Sequence, residues 1–412
     1  MKNINLLTVF LTSLFILLSV SFIYAERGRI CGVIQTRDGD TFEGPIRWDK
    51  NEAFWDDILD ATKEREGRRE SRRRERHIEI LGIRISWDED KEESKGRCGI
   101  KFGHIRSLER RSRNKAILRL KSGDRTMFYG DGRDLGSGIR EILIDDPEEG
   151  ETFLDWEDLD EIEFKECEVV GEKESYTKRE GRLYGQVDTR NGETFKGFIT
   201  WDVDELFYSD ILDGEEKGRK RKITFGKIKA IERRSRNSAW VYLKNGDQMK
   251  LSGTNDVDSG NRGIVVKDPY FGRVTIEWDD FDRCDFLEGG EKYLKSYHEF
   301  DGGHPLYGIV YDEDGESYQG YIRWDDDETE SWELLNGEYR GLEVDVEFSQ
   351  IESIEKKSSN GAKVTLKNGN SFKLEDSNDV NDENRGIFIT TKDGNEIELD
   401  WYDFEKVIFK ER

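Results

Sequence analysis

The chain has 412 residues, 38% of them charged and 34% hydrophobic, with 10 Trp, 15 Tyr, 22 Phe and a formal net charge of −25. That aromatic supply argues against disorder despite the charge, and it fits several small cores better than one large one. So acidic a surface repels nucleic acid and anionic lipid, and it suits solubility, a cation or a basic partner.

Residues 1–25, "MKNINLLTVFLTSLFILLSVSFIYA", carry one lysine, a long apolar run and Ala25 ahead of the charged "ERGRI". This is the pattern of an export signal cut after Ala25. An uncleaved anchor is the alternative, because an apolar run of about twenty residues can span a bilayer. No later segment is apolar enough to cross, so the mature chain is expected to be exported: periplasmic, envelope-associated or secreted. In such a compartment Cys31 and Cys98, both in the first repeat, could bridge, and the sequence leaves open whether they do. The widely spaced cysteines form no C-x-x-C pair and give no zinc signature. Cys284 replaces an aliphatic residue and reads as a small buried hydrophobe.

Three stretches are near copies: "RDGDTFEGPIRWD" at 37–49, "RNGETFKGFITWD" at 190–202 and "EDGESYQGYIRWD" at 313–325. They define tandem repeats at 26–167, 181–288 and 305–412, joined by polar linkers at 168–180 and 289–304. The first repeat carries a basic insert at 62–97, with "KEREGRRESRRRERH" followed by a predicted extra hairpin in "IEILGIRISWDED". Mixed charge runs of this kind are usually solvated; docking on an acidic partner, a second copy of the chain included, is the alternative.

Each repeat contains two related halves. In the second, Val187-x-Thr189-x-x-Gly192 is echoed by Val241-x-Leu243-x-x-Gly246, and Asp202 and Asp256 each lie ten residues beyond their glycine. The halves close on Ile223-x-Phe225-x-x-Ile228-x-x-Ile231 and Ile276-x-Trp278-x-x-Phe281-x-x-Cys284. Alternating apolar residues around Asn-Gly, Asp-Gly or Ser-Gly predict hairpins. The phase change in the closing segment predicts a strand, a bend and a second strand. A short helical turn is expected in "VDELFYSDILDG", after Trp201-Asp202. The predicted fold is all-β: three tandem repeats, each of two related five-stranded units resembling small barrels, with a six-bladed propeller as the alternative.

The opening segment of each unit resembles the first motif of Sm-like barrels, through Gly192, Gly197, Ile199 and Asp202, and SH3-like barrels share it. The residues that carry RNA binding in the Sm-like family have no counterpart here, so the resemblance implies a barrel-like unit and not RNA binding.

Two sets of residues stand out as candidate sites. The pairs Trp48-Asp49, Trp201-Asp202 and Trp324-Asp325 are expected to cover the core and cap the backbone after the second strand. The alternative is an aromatic-plus-carboxylate site for a sugar or peptide. In the loops of the second halves an arginine follows an aspartate by six: Asp134 with Arg140, Asp256 with Arg262, Asp379 with Arg385. These are expected to be ion pairs closing the loops. Calcium on the Asp and Asn oxygens is the runner-up, and no dedicated metal ligands or cofactor are expected otherwise. The four histidines do not recur at equivalent positions, and no nucleophile elbow, zinc helix or phosphate loop is present. The expected function is therefore a non-enzymatic interaction or envelope scaffold with a protein or envelope glycan as partner. Its rivals are a calcium- or carbohydrate-binding protein and, more distantly, a hydrolase with a site unique to one repeat.

Overall fold

The computed structural model describes residues 28–63, 77–80, 83–86, 96–130, 134–167 and 181–411. The expected export signal, most of the basic insert and the linker at 168–180 lie outside them. Among the described residues the regular structure is β-strand with short 3-10 turns, and no helix is long and apolar enough to cross a membrane.

The second repeat shows how the pattern folds. Across the sheet its strands run Gly272–Ile276, Ile264–Asp268, Thr194–Thr200, Tyr184–Thr189, Phe281–Phe286, Ile228–Ser235, Ser238–Leu243, Gln248–Ser252, Ile211–Glu216 and Arg219–Thr224, every pair antiparallel. Counted within each half, this order is fourth and third of the second half, second and first of the first. Then come the two fifth strands, first and second of the second half, and third and fourth of the first. Exchanging the halves reverses the order onto itself. The first repeat has the same ten-strand order, and so does the third. The halves are therefore interleaved in one open ladder. They neither close as separate barrels nor stand apart as propeller blades, because the first strand of one half pairs with the last strand of the other.

The local chemistry explains the near-identical stretches. Gly192 turns the hairpin at φ 84°, a left-handed conformation that costs glycine little. Gly197 serves a different need, since a Cβ there would stand 1.8 Å from the Lys267 carbonyl oxygen on the next strand. Phe195, Ile199 and Trp201 alternate inward and are fully buried. The predicted bend is the 3-10 turn Phe225–Lys227 between Arg219–Thr224 and Ile228–Ser235. The insert hairpin pairs His77–Ile80 with Ile83–Ser86.

The second and third repeats share one sheet through Gly272–Ile276 and Leu342–Glu347, where Val274 faces Val344. The first repeat forms its own sheet and meets the others through side chains. Arg47 pairs with Asp210 at 3.0 Å and Arg182 with Asp57 at 2.6 Å. Lys101 pairs with Glu347 at 2.7 Å. Each repeat thus touches both others.

Two sequence readings change here. The disulfide is Cys31–Cys167, with Cα atoms 5.3 Å apart, and Cys98 is free. Strand Cys31–Thr36 lies beside the closing strand Leu159–Phe164, which brings Cys167 to Cys31. Cys98 lies on the outermost strand at one end of the same ladder. The linker at 289–304 is more than a polar joint. Tyr297 and Phe300 enter the core of the first repeat, and the Tyr297 hydroxyl donates to the Ile105 carbonyl at 2.8 Å. Cys284 is fully buried, as a small hydrophobe should be.

Candidate functional site

After the second strand of each repeat the chain turns sharply. Asp202 and Val203 both adopt left-handed backbone, φ 50° and 62°, and their counterparts are Asp49 and Lys50, Asp325 and Asp326. In this region a β-branched residue such as Val203 is a genuine outlier. The turn is held because Trp201 and Glu205 exchange two backbone hydrogen bonds, N–H of Trp201 to O of Glu205 at 2.7 Å and N–H of Glu205 to O of Trp201 at 2.9 Å. It is a bridged left-handed turn, not the expected helical one.

This geometry aims the aspartate inward. Asp202 accepts the backbone N–H of Arg262 at 2.6 Å and its guanidinium at 2.8 Å. Asp325 does the same with Arg385 and Asp49 with Arg140. The loop aspartate takes another role. Asp256 accepts the N–H of Asp213 at 2.6 Å, while its carbonyl accepts the indole N–H of Trp201 at 2.9 Å. The same pair of bonds forms at Asp379 and Asp134. The expected pairs Asp134–Arg140, Asp256–Arg262 and Asp379–Arg385 are thus replaced by Asp49–Arg140, Asp202–Arg262 and Asp325–Arg385. The loop carboxylate accepts a strand N–H, whereas the corner carboxylate accepts both the backbone N–H and the guanidinium of the arginine. Arg262 also reaches Asp204, and Arg385 reaches Asp327.

Trp48, Trp201 and Trp324 are all 0% exposed. They are core residues, and no sugar ring can stack on them. The recurring aspartate caps backbone, as expected, but the N–H comes from the other half of the repeat.

Sequence reasoning missed the glutamate of the corner. Glu52, Glu205 and Glu328 stand three residues after the recurring aspartate, and the spacing Trp-Asp-x-x-Glu was a readable signal. Each has a buried Oε2 with no hydrogen-bond partner. Carboxylate oxygens of Asp202, Glu205 and Asp256 converge within 4.8 Å of one another, and so do those of Asp325, Glu328 and Asp379. These buried triads could hold a metal ion. Burial, and next the charge of Asp256, pushes Glu205 up to about 9. Burial likewise raises Asp256 to about 6 and Asp134 to about 7. Glu52, Glu328 and Asp379 are all driven well above the usual carboxylate range by the same desolvation, reinforced by neighbouring acids.

The three repeats surround an open cleft of about 1300 Å³. Twelve carboxylate side chains and four basic ones line it, Glu52, Asp134, Glu328 and Asp379 among the acids. Several of the acids are neutralised: Arg273 pairs with Asp60 at 3.0 Å and with Asp345 at 2.7 Å. Glu338 and Glu343 also line the cleft, and they face each other across the hairpin that joins their strands. Like charges directly opposed across a ladder are destabilising. Comparison with protein-family models and with curated proteins returns no match for this chain.

Proposed function

We propose that the chain is an exported, non-enzymatic β-repeat scaffold that receives a basic protein segment in its central cleft. The observation that carries this reading is the surplus of carboxylates in the cleft, with Glu338 and Glu343 opposed across one hairpin. A cationic side chain between them would relieve that repulsion. The apolar leader at 1–25 supports export, as does the Cys31–Cys167 disulfide, since such bonds persist in oxidising compartments. The test is a fluorescence titration of the full mature chain with a labelled Lys/Arg-rich peptide at low and at physiological salt. Binding should weaken with salt, and Glu338→Lys with Glu343→Lys should weaken it at least about tenfold, a loss of roughly 1.4 kcal/mol. Equal binding of an acidic peptide, or no effect of the double substitution, contradicts the proposal.

A second reading, calcium binding through the acidic corners, is favoured by the converging carboxylates of the second and third repeats. Oxygen-only donor sets of this kind suit a hard divalent cation.

A further inference from the structure

The three corners differ in how well each would serve a cation. The first reads Asp49-Lys50-Asn51-Glu52, the second Asp202-Val203-Asp204-Glu205 and the third Asp325-Asp326-Asp327-Glu328. Negative charge rises along that series, and the first corner carries a lysine of its own. The Oε1 of Glu52 already accepts the Asn51 amide, and its triad is not one of those that converge. The second triad converges, but Glu205 and Asp256 are not among the residues lining the cleft. The third triad has both properties. Its carboxylates converge, and Glu328 and Asp379 open on the cleft, which gives an ion a way in.

Glu328 supplies the independent sign of a ligand. It is 8% exposed, and its Oε2 is buried with no hydrogen-bond partner. Leaving such a group unsatisfied carries the full desolvation penalty of that oxygen, larger still if it is charged. Asp325 is largely committed, to Arg385 and to the Asn378 amide. Asp379 gives one oxygen to the Asn336 N–H at 2.7 Å.

We propose that the third corner is a divalent-cation site of the calcium class, entered from the central cleft, with Glu328 and Asp379 as its main protein ligands and Asp325 at its edge. The proposal rests on the calcium reading and narrows it to one corner. Arg385 remains on Asp325 and Asp327, and it leaves the site net negative among those four acids. Such a site would require oxygen donors beyond the protein carboxylates, because calcium takes six to eight ligands, and the open cleft admits water.

The experiment uses terbium on the full chain at physiological ionic strength, with calcium as competitor. Trp324 donates its indole N–H to the Asp379 carbonyl, so it lies beside the site and would sensitise terbium emission. One displaceable terbium per chain is expected, lost at least tenfold in Glu328→Gln and retained in Glu205→Gln. Glutamine keeps the shape of the side chain, and an unchanged circular dichroism spectrum would confirm that the variant is folded. A misfolded Glu328→Gln sample is replaced by Asp379→Asn, for which the same loss is expected. Two or more equal sites, or loss in Glu205→Gln instead, would overturn the assignment to the third corner while keeping calcium binding. No calcium-displaceable terbium at all would overturn both.

Discussion

The first repeat and the pair formed by the second and third are built from one template yet closed differently. The second and third share a single sheet through the Val274–Val344 register. The first has its own sheet, a disulfide between Cys31 and Cys167, and an aromatic strap, Tyr297 and Phe300, supplied from the joint before the third repeat. What all three keep is the corner: a buried tryptophan, a left-handed aspartate and an arginine from the other half. The difference teaches that this corner defines the repeat, whereas the links around it vary: edge strands pair between the second and third repeats, while a disulfide beside central strands and borrowed aromatic side chains serve the first.

The largest effect tests what is common. Trp201→Ala should cost about 3–5 kcal/mol, the usual range for truncating a buried aromatic, and Trp48→Ala and Trp324→Ala should cost about as much in their own repeats. Chemical denaturation of each variant would show it. A melting temperature unchanged in any one of the three would break the equivalence of the corners.

Next comes the disulfide, which belongs to the first repeat alone. Replacing Cys31 and Cys167 by serine should destabilise by about 2–4 kcal/mol, because the closed loop is long. Hydrogen exchange should place the loss in strands of the first repeat and leave Ile228–Ser235 and Ile351–Ser358 protected. Uniform loss across all three repeats would mean that the molecule unfolds as one unit.

The corner of the second repeat has a signature in pH. The folded pKa of Glu205 is raised to about 9, above its unfolded value. The folded state therefore holds a proton that the unfolded state releases. Its contribution is complete below about pH 4.5, the ordinary glutamate range, and is lost as pH rises toward 9. Stability should fall across that window, and Glu205→Gln should flatten the fall, gaining about 1–3 kcal/mol at pH 8. Thermal melts of both proteins between pH 5 and pH 9 measure it. An identical slope in the variant would show that Glu205 is not the group responsible.

The smallest effect concerns the strap. Tyr297→Phe removes one hydrogen bond to the Ile105 carbonyl and should cost about 1 kcal/mol, read as a small shift in the denaturation of the first repeat. No shift would make the aromatic ring alone the closing element.

Much of this architecture was legible in the sequence. The repeated glycines fixed the hairpins, and the phase change at Phe225 marked the 3-10 turn between two strands. The interleaving of the halves was not legible, because a period-two pattern tells which face is buried and not which strand lies alongside. The six-residue spacing of Asp256 and Arg262 pointed to a local ion pair, but the left-handed turn at Asp202 presents a better partner from far along the chain. Polar composition around Tyr297 and Phe300 hid the strap, since two aromatics among charged residues read as a joint. Glu52, Glu205 and Glu328 were visible at a constant spacing, yet in so acidic a chain one more glutamate carries little weight.

A double-mutant cycle on the corner tests the central claim most directly. Stabilities of Asp202→Asn, Arg262→Ala and the double variant give one coupling energy, and Asp256→Asn with Arg262→Ala gives the other. The structure predicts a coupling of about 1–3 kcal/mol for Asp202 with Arg262 and a clearly smaller one for Asp256 with Arg262. A larger coupling to Asp256 would contradict the shared corner.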